Sequence, residues 1–117
     1  MKNLVDKRFK QAIYILIIAI TFTYGSFAQS NTGTITGQVL DSTGAVVPNA
    51  TVTIKNQGTN EVRTVQTNQI GFYEAASLST GIYTVTASAA GFEQSSLTDA
   101  RLAVGDRLRL NVMLGLE

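Results

Sequence analysis

A chain of 117 residues with nine basic and eight acidic side chains carries almost no net charge, and it contains no histidine, cysteine or tryptophan. Those absences exclude disulfide stapling, Cys/His metal sites and histidine-based proton transfer. The length suits one small domain held by apolar packing and strand pairing alone.

The first 28 residues read as an export signal. Lys2, Lys7, Arg8 and Lys10 make a basic start, Ala12 to Phe22 an apolar run, and Ser26-Phe27-Ala28 a small-residue cleavage site. The run is 11 residues, short of the roughly 20 needed to span a bilayer as a helix. Cleavage after Ala28 leaves 89 residues with five basic and seven acidic groups, a formal charge of about −2. Such a chain has no basic stripe for nucleic acid. With no cysteine after the run, a terminal lipid anchor is excluded.

Beyond the signal, Gln29 to Gly33 is a polar lead-in, and the domain is expected over 34–117. Thr34 to Leu40 alternates as a half-buried strand, and Asp41-Ser42-Thr43-Gly44 turns the chain. Pro48, the only proline, precedes the clearest strand, where Ala50, Val52 and Ile54 alternate with Thr51, Thr53 and Lys55. A loop around Gly58 leads to a third strand over Glu61 to Thr67, and a turn at Asn68–Gly71 to a weaker fourth over Phe72 to Leu78. After Ser79-Thr80-Gly81, Ile82 to Ala89 forms a fifth, with Tyr83, Val85 and Ala87 on one side. Glu93 to Ala100 is poorly patterned and reads as an edge strand or loop. The last strand sets Leu108, Leu110, Val112 and Leu114 against Arg107, Arg109 and Asn111. Short strands at about 10–12-residue spacing, with no helical stripe, predict an all-β, Greek-key sandwich of about seven strands. Connections too short for crossovers predict antiparallel pairing throughout.

The turns carry a resemblance. Gly37-Gln38-Val39-Leu40-Asp41 and Gly44 lead to Val47-Pro48-Asn49-Ala50-Thr51-Val52, then Thr67-Asn68, Gly71-Phe72-Tyr73, Leu78-Ser79-Thr80-Gly81-Ile82-Tyr83 and Gly91-Phe92. Over Thr34 to Leu114 the chain resembles the carboxypeptidase regulatory-like domain family, within the transthyretin-like or prealbumin-like sandwiches. Asn68 stands where the family usually has an acidic residue, and Ser79 where it usually has proline. The resemblance implies a buried Tyr83 with its hydroxyl on a backbone partner. It also implies a non-catalytic accessory module of the kind attached to peptidases, surface proteins and outer-membrane receptors. A signal followed at once by such a domain resembles the opening of a TonB-dependent receptor. The chain is therefore expected to be either a free-standing module or the front piece of one, exported to the periplasm, outer membrane or cell surface.

Little chemistry remains. No catalytic residue, cofactor or metal is expected. A zinc peptidase lacks its ligands. A transthyretin-like hydrolase resembles this fold but uses histidines and a Tyr-Arg-Gly-Ser tail, where this chain has Leu114-Gly115-Leu116-Glu117. Asp41, Asp99 and Asp106 sit in or near loops without the dense oxygen cluster calcium requires, and read as turn-forming or solvated carboxylates. A Lys–Asn isopeptide needs a lysine on the first strand, and Lys55 lies on the second. Phe92, Arg107 and Arg109 are the candidate contacts for a partner, which is either a protein or cell-envelope component or a polysaccharide stacking on Phe92 or on whichever of Phe72 and Tyr73 lies outside the core. The bland alternatives are turn packing for Phe92 and solvated edge charges for the arginines. The Glu93–Ala100 edge is the expected docking edge for another strand. Membrane contact is expected only through an uncleaved signal or a downstream barrel.

Overall fold

Alternating Val, Ile, Thr and Tyr residues build eight strands in the computed structural model, which describes Lys10, Gln11, Tyr14 and residues 31–117. The chain divides into two units, Met1–Ser30 and Asn31–Glu117. In the first, Lys10, Gln11 and Tyr14 are helical. The apolar run (Tyr14 excepted) and the cleavage site after Ala28 lie outside the described residues. Among the described residues no helix is long and apolar enough to cross a membrane.

The second unit contains β1 (Thr32–Asp41), β2 (Thr51–Asn56), β3 (Val62–Gln66), β4 (Phe72–Ser79), β5 (Gly81–Ser88), β6 (Ser95–Leu102), β7 (Arg107–Arg109) and β8 (Val112–Leu114). They form two four-stranded sheets. One has β1 at its centre, with β4 on one side and β7 and β8 on the other; the other runs β3-β2-β5-β6. This is the expected two-layer, prealbumin-like sandwich. Inward residues of both sheets make the core, led by Ile35, Val39, Val52, Ile54, Tyr73, Val85, Val112 and Leu114. Each such burial contributes roughly 1.5–3 kcal/mol, and with no disulfide these contacts carry the fold.

Three expectations are corrected. First, β1 begins at Thr32, not Thr34, because Thr32 and Gly33 pair with Ser79 and Leu78 of β4; Gly33 also leaves room for Leu102, whose Cδ1 would lie 2.8 Å from a Cβ there. Second, pairing is not antiparallel throughout: β7 and β8 both run parallel to β1. A short connection suffices because the chain leaves β6 of one sheet and enters the other. The Ala103–Asp106 turn is fastened to β1 by Gly105 N–H donating to Thr32 O (3.0 Å) and Thr34 N–H donating to Asp106 O (2.8 Å). The length rule applies to parallel neighbours that follow each other within one sheet.

Third, the last strand is two strands, joined at Leu110–Asn111. The Leu110 carbonyl is folded over Gly37, where a Cβ would lie 1.8 Å from its oxygen. The buried Tyr73 hydroxyl donates to that oxygen (2.6 Å), and Leu110 N–H donates to Thr36 O (2.7 Å). Asn111 Oδ1 accepts from Gln38 N–H (3.0 Å). Leu108 and Leu110 are consequently half-buried, while Val112 and Leu114 are buried.

Poor patterning in two strands has one cause. In β6 the register with β5 shifts between Tyr83↔Ala100 and Val85↔Leu97, and Asp99 adopts φ 58°. In β4 the register with β1 shifts between Gly33↔Leu78 and Ile35↔Ala75, and Ser77 adopts φ 57°. Each bulge adds a residue and flips the parity of the strand beyond it. Inward residues are then three apart (Ala75 and Leu78, Leu97 and Ala100) and alternation vanishes from the sequence.

Candidate functional site

Turn chemistry takes up most of the polar residues singled out above. Asp41 Oδ1 accepts from Thr43 Oγ1 (2.6 Å), Thr43 N–H (2.9 Å) and Ala45 N–H (3.0 Å). The Thr43 hydroxyl, with these backbone donors, holds the Asp41 carboxyl below its ordinary range. Asp106 Oδ2 accepts from Ala103 N–H (2.9 Å), and Asp99 sits in the β6 bulge. Among the described residues no three His, Cys, Asp or Glu side chains group as ion ligands.

Asn68 Oδ1 accepts from Ile70 N–H (3.1 Å) and Phe72 N–H (3.0 Å), so the amide makes the turn that an acidic residue would make. Gly71 follows at φ 73°, with Val39 O 2.9 Å from where its Cβ would be. Pro48 and Asn49 (φ 57°) form the turn before β2. Tyr83 is buried, with its hydroxyl donating to Ser79 O (2.5 Å), as the resemblance implied. Two tethers have roles that the sequence did not assign. The buried Thr67 hydroxyl donates to Val47 O and accepts from Ala50 N–H, both at 2.8 Å. The buried Asn56 Oδ1 accepts from Gly58 N–H (2.9 Å) and Thr59 N–H (3.1 Å).

Arg107 and Arg109 do share one surface. Leu108 turns inward against the core, so both arginines project from the outer face of β7, opposite Thr34 and Thr36 of β1. Glu74 of β4 lies opposite Thr36 on the other side of β1, and its carboxylate meets Arg107 at 3.2 Å. Arg109 has no carboxylate partner within salt-bridge distance among the described residues. Thr36 is internally satisfied, its hydroxyl donating to Tyr73 O (3.0 Å).

The aromatic ring beside the arginines is Phe72, not Phe92. An open, shallow depression is lined by Thr36, Phe72, Arg107 and Arg109. Phe72 is half-buried without joining the core cluster. Phe92 packs on the core, bridges Leu116 and borders a separate depression with Asn49, Gln94 and Glu117. The signal for Phe72 was present in the parity of β4: Tyr73 and Ala75 point inward, so Phe72 and Glu74 share the outer face.

Fold and surface together define a small β-sandwich with an open depression beside two arginines and with turn-forming carboxylates. The carboxypeptidase regulatory-like domain family matches residues 34–115, and the chain belongs to that family. No curated protein matches by sequence. Among solved structures, the Bacillus anthracis TIE protein is similar at 22% identity and TM-score 0.62, over 74% of this chain and 17% of that one. Catechol 1,2-dioxygenase of Acinetobacter radioresistens is similar at 14% identity and TM-score 0.62, over 76% of this chain and 53% of the enzyme. A candidate carbohydrate-binding protein of Bacteroides uniformis is similar at 20% identity and TM-score 0.57, over 70% and 40%. At these identities the likeness is one of fold. The chain spans no more than about half the length of these three proteins.

Proposed function

We propose that this chain is an exported, non-catalytic interaction module that contacts a carboxylate-bearing protein or cell-envelope component through the outer face of β4-β1-β7. One observation carries the reading: Arg109 is exposed, with no carboxylate partner among the described residues, beside a half-buried aromatic ring outside the core cluster. A guanidinium presents two parallel N–H groups to a carboxylate, and the ring supplies apolar area next to it. Arg107 is held beside them by Glu74. Export rests on the basic start, the apolar run and Ser26-Phe27-Ala28. Attachment to a receptor plug and barrel is the corresponding reading for a longer gene product, and an in-frame barrel downstream is its test.

Carbohydrate binding is the second reading. Phe72 offers the stacking face, and the fold is shared with the Bacteroides uniformis protein described as a candidate carbohydrate binder. Amide chemical shifts titrated with an acidic peptide and with a neutral glucan separate the two. The first reading expects saturable shifts around Arg109 and Phe72 with the peptide, abolished by Arg109→Ala. Glucan binding lost in Phe72→Ala supports the second. Silence with both probes overturns the assignment of this face.

A further inference from the structure

Each sheet has two edges, and among the described residues every edge but the one formed by β3 is interrupted. β4 is bulged at Ser77 and β6 at Asp99. The Gln57 amide sits against the β6 bulge, its two ends 3.2 Å from Asp99 Oδ1 and Asp99 N, and turned with its nitrogen toward the carboxylate it would bond both. β7 and β8 are three residues each, separated by the Leu110–Asn111 joint. Bulges and short strands are the usual means of blunting an edge against other chains. β3 has neither: its five residues keep unbroken register with β2, from Lys55↔Val62 to Thr51↔Gln66. Val62 is 53% exposed at its start.

The phase of the ladder shows which groups are open. Asn56 N–H donates to Glu61 O, and Thr67 N–H donates to Ala50 O. Antiparallel pairing alternates, so Arg63 and Val65 bond β2, while N–H and C=O of Val62, Thr64 and Gln66 point away from it. The Arg63 side chain is turned to the other sheet, donating to Ala76 O (3.0 Å).

We propose that β3 is a pairing edge for a second copy of this chain, running antiparallel with Thr64 on the two-fold axis. In that register Thr64 faces Thr64, Val62 faces Gln66, and Arg63 faces Val65 of the second copy. Every outward N–H and C=O of the three residues is paired, and no like charges are directly opposed. Sliding the register by two residues sets Arg63 against Arg63 and Gln66 against Asn60 (φ 62°), or Val62 against Asn68 within its turn. The strand is therefore self-complementary in one register, and the two β3-β2-β5-β6 sheets become continuous. A contact between five-residue strands is small, so the dimer is weak and reversible. It uses neither Arg109 nor Phe72 and stands apart from the contact face proposed above.

The test is a concentration series by sedimentation, on the full chain and on the compact unit 31–117, with charge variants at the axis. The wild type should move from monomer toward dimer as concentration rises. Thr64→Lys and Thr64→Glu alone should each remain monomeric, because like charges then meet, and an equimolar mixture should associate. Hydrogen exchange in the wild type should slow with concentration at the Val62, Thr64 and Gln66 amides, a readout that stands if a variant misfolds. A wild type that stays monomeric at millimolar concentration overturns the proposal. So does association that is indifferent to both substitutions, which would place the contact elsewhere.

Discussion

The two sheets solve strand pairing differently. In β3-β2-β5-β6 all pairs are antiparallel, and the irregularity is confined to the outer strand β6. In the other sheet β1 receives β4 antiparallel and β7 and β8 parallel, and the last two are offset by an inserted joint. The regular sheet is tied at its margin by a side chain, Thr67, and the mixed sheet near its centre by a backbone carbonyl, Leu110 O, seated over Gly37. A centre that closes on a carbonyl has little freedom to relax. A margin tied by one hydroxyl has more.

Gly37→Ala should do the most damage. The new methyl would stand 1.8 Å from Leu110 O, which accepts from the Tyr73 hydroxyl in a residue whose own N–H is tied to Thr36 O. Relief requires β7 and β8 to move off β1, so a loss of about 3 kcal/mol or more is expected from overpacking. Denaturant unfolding measures it. A loss under about 1 kcal/mol would show the joint to be pliable. Thr67→Val is next. It keeps volume but leaves Val47 O and Ala50 N–H without partners in a buried margin, at a cost of about 2–4 kcal/mol. The variant should lower the urea midpoint without altering the slope, since the fold itself persists.

How far these features could be read in advance depends on whether the backbone stays regular. Val52-Thr53-Ile54 and Tyr83-Thr84-Val85 alternate without interruption, and their strands lie where the pattern puts them. The turns were legible because Asp41, Asn68 and Pro48 act within a few residues of themselves. The parallel placement of β7 was not, because it depends on which sheet the chain enters after β6, a non-local choice. Nor was the joint: Leu108, Leu110, Val112 and Leu114 alternate as though continuous, and nothing in that pattern marks the break over Gly37. On the outer face of β7, two arginines two residues apart on one strand were legible. Their neighbours Glu74 and Phe72 lie more than 30 residues away in sequence and arrive only through the β4–β1 register. The edge expected over Glu93–Ala100 is an outer strand, but its bulge blunts it, and the regular edge is β3.

Tyr73→Phe sharpens the contrast by removing only the hydroxyl that holds the joint. Leu110 O then loses a buried partner, at about 1–2 kcal/mol. The variant also reports on pH. Burial pushes the Tyr73 phenol up to about 12 from its ordinary 10, because the folded state favours the neutral form. A group whose pKa is raised on folding contributes fully below its unfolded pKa. That contribution fades as pH rises through the window from about 10 to 12. The stability gap between wild type and Tyr73→Phe should therefore be constant from neutral pH to about 10 and narrow by about 12. A gap that persists unchanged across that window would mean the phenol ionises without loss of the joint.

The smallest effect is expected on the outer face. Arg107 and Glu74 meet at 3.2 Å, but their side chains are 64% and 43% exposed. Water and salt screen such a pair, and the entropy of fixing two long side chains offsets much of the attraction. A double-mutant cycle of Arg107→Ala and Glu74→Ala should give a coupling of about 0.5 kcal/mol or less, falling as salt is added. This small value matters for the functional reading. If the pair contributes little to the fold, the carboxylate of Glu74 can exchange for that of a partner at little cost, and Arg107 joins Arg109 as a contact. A coupling well above 1 kcal/mol would instead make the pair a structural brace across β1, leaving Arg109 and Phe72 as the whole of the contact face.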